Sequence, residues 1–217
     1  MPFGSAPEPV DPQLLRAWLT GRSISRGLPA PVPDHGGWRV DVGLPAEVAR
    51  YVFADVTPGL KHLGESIRAP FVSLKLCGPD GLLRSILPAR WEIQGGNHLM
   101  TFDGDLGAPR APPPGYELEV ATDERGIAVR VLDREGDLAA SGFAAETPGA
   151  FVYDRIITEP AHQRRGLGLT VMTALGAQRR SSGARHVLVA TPEGRALYAT
   201  LGWTVRSPFA TAMIPGG

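Results

Sequence analysis

The sequence predicts an α/β (α+β) chain with a mixed, mostly antiparallel central sheet flanked by helices. Three observations carry this. Between Tyr116 and Thr158, short runs of alternating apolar and polar residues are separated by turn residues, the pattern of consecutive antiparallel strands. After Thr158 the pattern switches to helix, strand, helix and terminal strand, and such a switch marks a mixed rather than an all-β architecture. The proline- and glycine-rich stretch DGDLGAPRAPPPG, residues 103–115, breaks both patterns and separates them from an N-terminal part.

The elements follow in order. Residues 1–10 are Pro-rich and read as loose. Asp11 caps a first helix, Pro12 suits its first turn and Gly21 its exit, while Leu14, Leu15, Trp18 and Leu19 share one face. Residues 21–37 read as an extended connection. Trp38 to Val42 reads as a strand, and Pro45 to Ala54 as a helix with Val48, Tyr51 and Val52 inward. Thr57-Pro58 opens another helix with Leu60, Leu63 and Ile67 inward. Val72, Leu74 and Leu76 alternate with Ser73 and Lys75 as a half-buried strand. Leu82, Leu83, Ile86 and Leu87 lie on a helix stopped by Pro88, and Trp91 to Phe102 reads as a hairpin around Gly95-Gly96-Asn97.

Beyond the break come strands Tyr116–Ala121, Ile127–Leu132, Leu138–Ala144 and Ala150–Thr158. A helix Gly166–Arg180, a strand His186–Ala190, a helix Pro192–Leu201 and strands Trp203–Val205 and Phe209–Ile214 complete the chain. The expected organisation is an N-terminal helix and extended segment (1–37), an N-terminal lobe (38–103), a linker (104–115) and a C-terminal domain (116–217). There is no internal repeat.

Composition narrows the function. Lys+Arg and Asp+Glu both number 22, so the electrostatic footprint of a nucleic-acid binder is missing, and an anionic membrane surface is no better served. Cys77 is the only cysteine, which rules out an intramolecular disulfide and fits a reducing compartment. No basic-then-apolar leader opens the sequence and no segment approaches ~18 apolar residues. The expectation is a cytoplasmic protein with neither nucleic acid nor membrane as partner; a homodimer is compatible with it. His35, His62, His98 and His186 lack metal-like spacing with Asp, Glu or Cys, so no metal is expected.

The informative stretch is YDRIITEPAHQRRGLG, Tyr153 to Gly168. An apolar strand ends at Thr158-Glu159-Pro160, and a short loop leads into a helix with Leu167, Val171, Met172 and Leu175 inward. The first turn of a helix offers unpaired N–H groups, Gly166 and Gly168 let a phosphate approach the backbone, and Arg164 and Arg165 add charge. A P-loop would need Lys after the second glycine, where Leu169 stands; a dinucleotide fingerprint would need glycine at Val171. Gln163-Arg164-Arg165-Gly166-Leu167-Gly168 instead fits the pattern Q/R-x-x-G-x-G/A at every fixed position. The plain structural alternative is a glycine-softened helix start with solvated arginines.

With ATPEGRALYATLGW (Ala190 to Trp203) downstream, the chain resembles the GNAT superfamily of N-acetyltransferases from Ala150 to its end, and more loosely from Tyr116. Leu197-Tyr198 and Leu201-Gly202-Trp203 match the second signature of that family; Thr191 stands where many members have Asn, and Gly194 where many have Ala. The resemblance implies the GNAT fold and acetyl-CoA as co-substrate. Backbone groups of Ile156, Ile157 and Thr158 would meet the pantetheine arm, the amides of Arg164, Arg165, Gly166, Leu167, Gly168 and Leu169 the pyrophosphate, with Gln163 opening the loop and Thr191 lining the CoA arm. Tyr198 would be the general acid for the leaving thiolate. The alternatives for these positions are core strand for Ile156 and Ile157, and helix packing for Tyr198.

An alkyl amine with pKa near ~10.4 must lose a proton before it attacks. Asp154, inside an apolar strand, is the leading base candidate, with a salt bridge as its alternative; Glu146 is a weaker candidate, and His162 reads as solvated or phosphate-proximal. The expected function is transfer of acetyl from acetyl-CoA to a primary amine, first of all a small-molecule one. The alternative is a non-catalytic acyl-CoA-binding or sensing module.

Overall fold

The computed structural model describes residues 9–216; residues 1–8 of the Pro-rich start, and Gly217, lie outside the described residues. The chain forms two compact units that interleave along the sequence. One contains residues 28–102 and 189–217 with the chain up to Arg16, and the other contains 17–27 and 103–188. The break between Phe102 and Asp103 falls at the Pro/Gly-rich stretch, whereas the C-terminal residues return to the first unit.

Helix α1 (Pro12–Ser25) starts where Asp11 accepts from the Gln13 amide at 2.8 Å, but it runs past Gly21. A Cβ on Gly21 would lie 2.6 Å from Val152 Cγ2, so this glycine serves close helix–strand approach rather than helix exit.

In the first unit the strand order is β1 (Val32–Asp34), β2 (Gly37–Leu44), β3 (Glu47–Phe53), β4 (Val72–Cys77), β12 (Thr204–Met213) and β6 (Asn97–Phe102). Only β3 and β4 run parallel. The helix expected at Pro45–Ala54 is therefore a strand. Val48, Tyr51 and Val52 fit helical spacing, but β-branched and aromatic residues suit a pleated surface, and Gly43, at φ +66°, bends the chain so that residues 47–52 pair with β2. Arg50 is buried and Val48 half exposed, against the expected helical face, although Val52 is buried as expected. The half-buried strand β4 is an interior strand instead, and Ser73 is buried as fully as Leu74. Thr57 caps α2 (Pro58–Ser66) through the Leu60 amide at 3.0 Å. Helix α3 (Asp80–Ile86) ends just before Pro88. No hairpin forms around Gly95: β5 (Glu92–Ile93) and β6 both pair with β12, end to end along it. The two expected terminal strands are one, with an irregularity between Val205 and Ser207. Phe53, Leu60, Leu74, Leu76, Leu83 and Trp91 centre this unit's core.

In the second unit the order is β11 (Arg185–Ala190, its first four residues in this unit), β10 (Ala150–Thr158), β9 (Leu138–Thr147), β8 (Gly126–Leu132) and β7 (Glu117–Asp123). All pairs are antiparallel except β10–β11. Helix α4 (Leu167–Gly176) ends four residues earlier than the sequence suggested. Its predicted inward residues Leu167, Val171, Met172 and Leu175 are all buried. A Cβ on Gly142 would lie within 2.6 Å of Ile156 and Val171 side-chain atoms, so glycine lets α4 press onto the sheet.

Candidate functional site

Strand β10 changes character along its length. It pairs with β11 only at Ala150↔Arg185, Phe151↔His186 and Val152↔Val187, and then continues to Thr158 without that neighbour. On its other side it stays paired with β9, but the register slips between Asp154 and Ile157, so Arg155 and Ile156 together oppose Gly142. Arg155 sits at φ +52°, a bulge conformation that turns the strand. One edge of Ile156, Ile157 and Thr158 is thus left without a strand partner on the β11 side, and the Ile157 side chain is 50 % exposed. An extended ligand could add its own amides there, as an extra strand would.

The loop after β10 is a turn of 3-10 helix, Pro160–His162, followed by Gln163 and two left-handed residues, Arg164 at φ +62° and Gly166 at φ +82°. These conformations turn the amides of Arg164, Arg165, Gly166, Leu167 and Gly168 away from any carbonyl: among the described residues none of them donates to a backbone acceptor. Leu169 was expected to belong to the same set and does not, because its N–H closes the first turn onto the Gly166 carbonyl at 3.1 Å. A Cβ on Gly166 would meet nothing within 4 Å, and one on Gly168 only Thr158 Oγ1 at 3.7 Å, so the space over these amides is open. Gln163, Arg164 and Arg165 are exposed; Gln163 Nε2 reaches the Thr158 carbonyl at 3.4 Å.

Residues far away in sequence brace this loop. The Arg165 guanidinium donates to Tyr116 Oη at 2.7 Å, the same hydroxyl lies 2.9 Å from His162 Nδ1, and His162 Nε2 is 3.6 Å from Asp133. His162 is therefore a positioning residue for the loop. Tyr116, 46 positions from His162, and Asp133 escaped the sequence reading because no local pattern links them to the loop.

Asp154 is not placed as a base. Its side chain is 8 % exposed, Arg26 donates to both oxygens at 2.7 and 2.9 Å, and Ser25 donates at 3.1 Å. Burial works against its ionisation, but the Arg26 hydrogen bonds and the charges of Arg22, Arg26 and Arg155 outweigh it and hold the carboxyl below its ordinary value. The salt-bridge alternative describes it, as the centre of an arginine cluster. Glu146 is also engaged, accepting from the Arg180 and Ser181 amides at 2.9 and 2.8 Å just beyond α4.

In the first unit, Thr191 caps α5 (Pro192–Thr200), its hydroxyl accepting from the Gly194 amide at 3.2 Å. Tyr198 is buried against Trp203, with ring centroids 5.8 Å apart. Burial pushes its hydroxyl up to about 12, so it stays protonated at neutral pH, the state from which it can give a proton away. A Cβ on Gly194 would be 3.3 Å from Tyr198 Cε2, so glycine at this position makes room for the tyrosine ring.

No group of three or more His, Cys, Asp or Glu side chains suited to a metal occurs among the described residues, and none of their helices is long and apolar enough to cross a membrane.

No known family profile and no curated protein matches this chain. Solved structures do. A GCN5-related N-acetyltransferase from Kribbella flavida superposes with a TM-score of 0.65 at 18 % identity, covering 97 % of each chain. A putative GNAT-family acetyltransferase from Novosphingobium aromaticivorans gives 0.59 at 18 % identity, over 96 % of this chain and 100 % of the other. A GCN5-related N-acetyltransferase-like protein from Streptococcus suis gives 0.58 at 12 % identity, over 93 % and 97 %. The likeness takes in nearly the whole chain, including the N-terminal residues on which the two signatures are silent. This chain has the GNAT fold.

Proposed function

We propose that this protein is an N-acetyltransferase that moves an acetyl group from acetyl-CoA to a primary amine of a small-molecule acceptor. The observation that carries the reading is the row of unpartnered amides from Arg164 to Gly168 at the start of α4, continuous with the open edge of β10. The residues fit the co-substrate: the amides and Arg165 would hold a pyrophosphate, and Ile156 to Thr158 would pair with an amide-bearing arm. When bound, acetyl-CoA supplies the thioester that is attacked.

The chain's own residues do the rest. The loop, braced by Tyr116 and His162, fixes the anion without rearrangement. Tyr198 is the proposed acid: its proton would go to the sulfur as the C–S bond breaks and be replaced from water. Asp154 and Glu146 are both engaged, which supports loss of the acceptor's proton to water and attack by the amine already neutral in solution. Thr191 and Gly194 each have a structural task, so their departure from the commoner residues does not favour a purely sensing role.

The test is calorimetric titration with acetyl-CoA, with NADH as control, followed by turnover against a panel of amines. Micromolar CoA-selective binding and amine-dependent release of CoA are expected. Binding without turnover above the rate with water would point to the sensing module, and no binding would remove the loop's assignment.

A further inference from the structure

Within the second unit a cavity of about 260 Å³ opens beside the bulge of β10. Its lining carries Arg26, Arg125 and Arg155 against one carboxylate, Asp123, whose Oδ1 is already held by the Arg125 amide at 2.8 Å. Behind the wall, Asp154 lies against Arg22, Arg26 and Arg155. Arg26 spends two hydrogen bonds on it. The Arg155 guanidinium carbon stands over the Phe143 ring, 3.9 Å from its centroid, and Arg155 gives one N–H to the Ser25 carbonyl. Its Nε makes no hydrogen bond and stays 3.4 Å from Asp154. Arg125 is exposed and, among the described residues, no carboxylate pairs with its guanidinium.

Three positive side chains around one small space, with too little negative charge to balance them, form a receptor for an oxyanion. The space is too small for a polymer and large enough for a carboxylate or phosphate group with a few carbons. Arg155 immediately precedes Ile156, so the cavity lies where β10 turns into its open edge. Burial, then the Arg26 charge, hold the Arg155 guanidinium below its ordinary value against the pull of Asp154, and an anion placed beside it would relieve that. A larger neighbouring cavity shares Asp123, Gly126 and Ile127 but carries both signs of charge on Glu146, Arg179 and Arg180, and it is assigned no ligand.

We infer that the acceptor is an anionic amine, whose carboxylate or phosphate is gripped by Arg125 and Arg155 in this cavity while its amine points along β10; this rests on the acetyltransferase reading above. The test uses the full chain with CoA present. Matched amines are titrated by calorimetry: amino acids, aminoalkyl phosphates and the alkylamine left when the anionic group is removed from each. Arg125→Gln is titrated in parallel, since an exposed residue without an ion pair can change without unfolding the chain.

At least one anionic class is expected to bind tenfold or more tighter than its alkylamine, and Arg125→Gln to lose about tenfold for that class alone, with its melting temperature unchanged. The preferred class tells carboxylate from phosphate. Equal binding of anionic and neutral amines, or a variant that weakens both equally, overturns the inference. If amines are acetylated without an anionic preference, only the inference falls. If the anionic amine binds through Arg125 but neither it nor any other amine is acetylated, the acetyltransferase reading falls, and with it the inference about the acceptor.

Discussion

Burial gives Tyr198 and Asp154 opposite fates. Burial raises the Tyr198 hydroxyl, which remains protonated, whereas Asp154 is surrounded by arginines and remains an anion. Tyr198→Phe should lower kcat by about 10²-fold or more while leaving the acetyl-CoA Kd unchanged, read by steady-state kinetics beside calorimetry. Asp154→Asn should act on stability instead. It strips the buried partner from Arg26 and should cost about 3–5 kcal/mol in denaturant unfolding. If the acceptor's proton leaves to water, kcat/KM should rise about tenfold per pH unit toward the acceptor's own pKa; a plateau near pH 6–7 would show a protein base at work.

His186 makes a different pH prediction. It is buried with its Nδ1 2.9 Å from Tyr153 Oη, and burial, then the Arg179 charge, lower it to about 4. The unfolded chain protonates this histidine near ~6.5, so between pH 6.5 and 4 the unfolded state binds more protons. The stability contribution is full above 6.5 and is lost as pH falls through that window, on the order of 1–3 kcal/mol. His186→Phe should flatten that part of the stability–pH curve.

Among the elements, two glycines test how backbone geometry makes the site. Gly166 sits in the left-handed region with open space around it, so Gly166→Ala should cost only about 1 kcal/mol in stability. On the proposed function it should weaken acetyl-CoA binding by more than tenfold, because the methyl group would stand in the open space offered to a phosphate. Gly21 is the opposite case. Alanine is the better helix former by about 1 kcal/mol, yet its Cβ would press on Val152 at 2.6 Å, and the overpacking costs about 1–3 kcal/mol. Gly21→Ala should therefore lower the melting temperature despite its propensity.

At the scale of the molecule, the interleaving of the two units decides what folds alone. Residues 189–217 carry β12, whose partners β4, β5 and β6 all lie before residue 103. A fragment 116–217, cut at the Pro/Gly-rich stretch, would expose both edges of β12 and the apolar side chains that it buries. It should fail to give a cooperative unfolding transition, while the full chain gives one, as followed by circular dichroism.

What the sequence determined by itself is whatever neighbouring residues encode. The start of α2 at Thr57, the exposed amides at the start of α4 and the limits of β10 all follow from residues within a few positions of one another. Tertiary structure alone decided the rest. Asp154 became an ion-pair centre because Arg26 meets it from 128 positions away, and Tyr116 came to hold Arg165 from 49. Residues 47–53 became a strand, and β5 and β6 shared β12, because strand partners are chosen by the packed sheet and not by periodicity. Backbone conformation is a local energy, legible along the chain; charge pairing and strand pairing depend on which distant segments folding brings together.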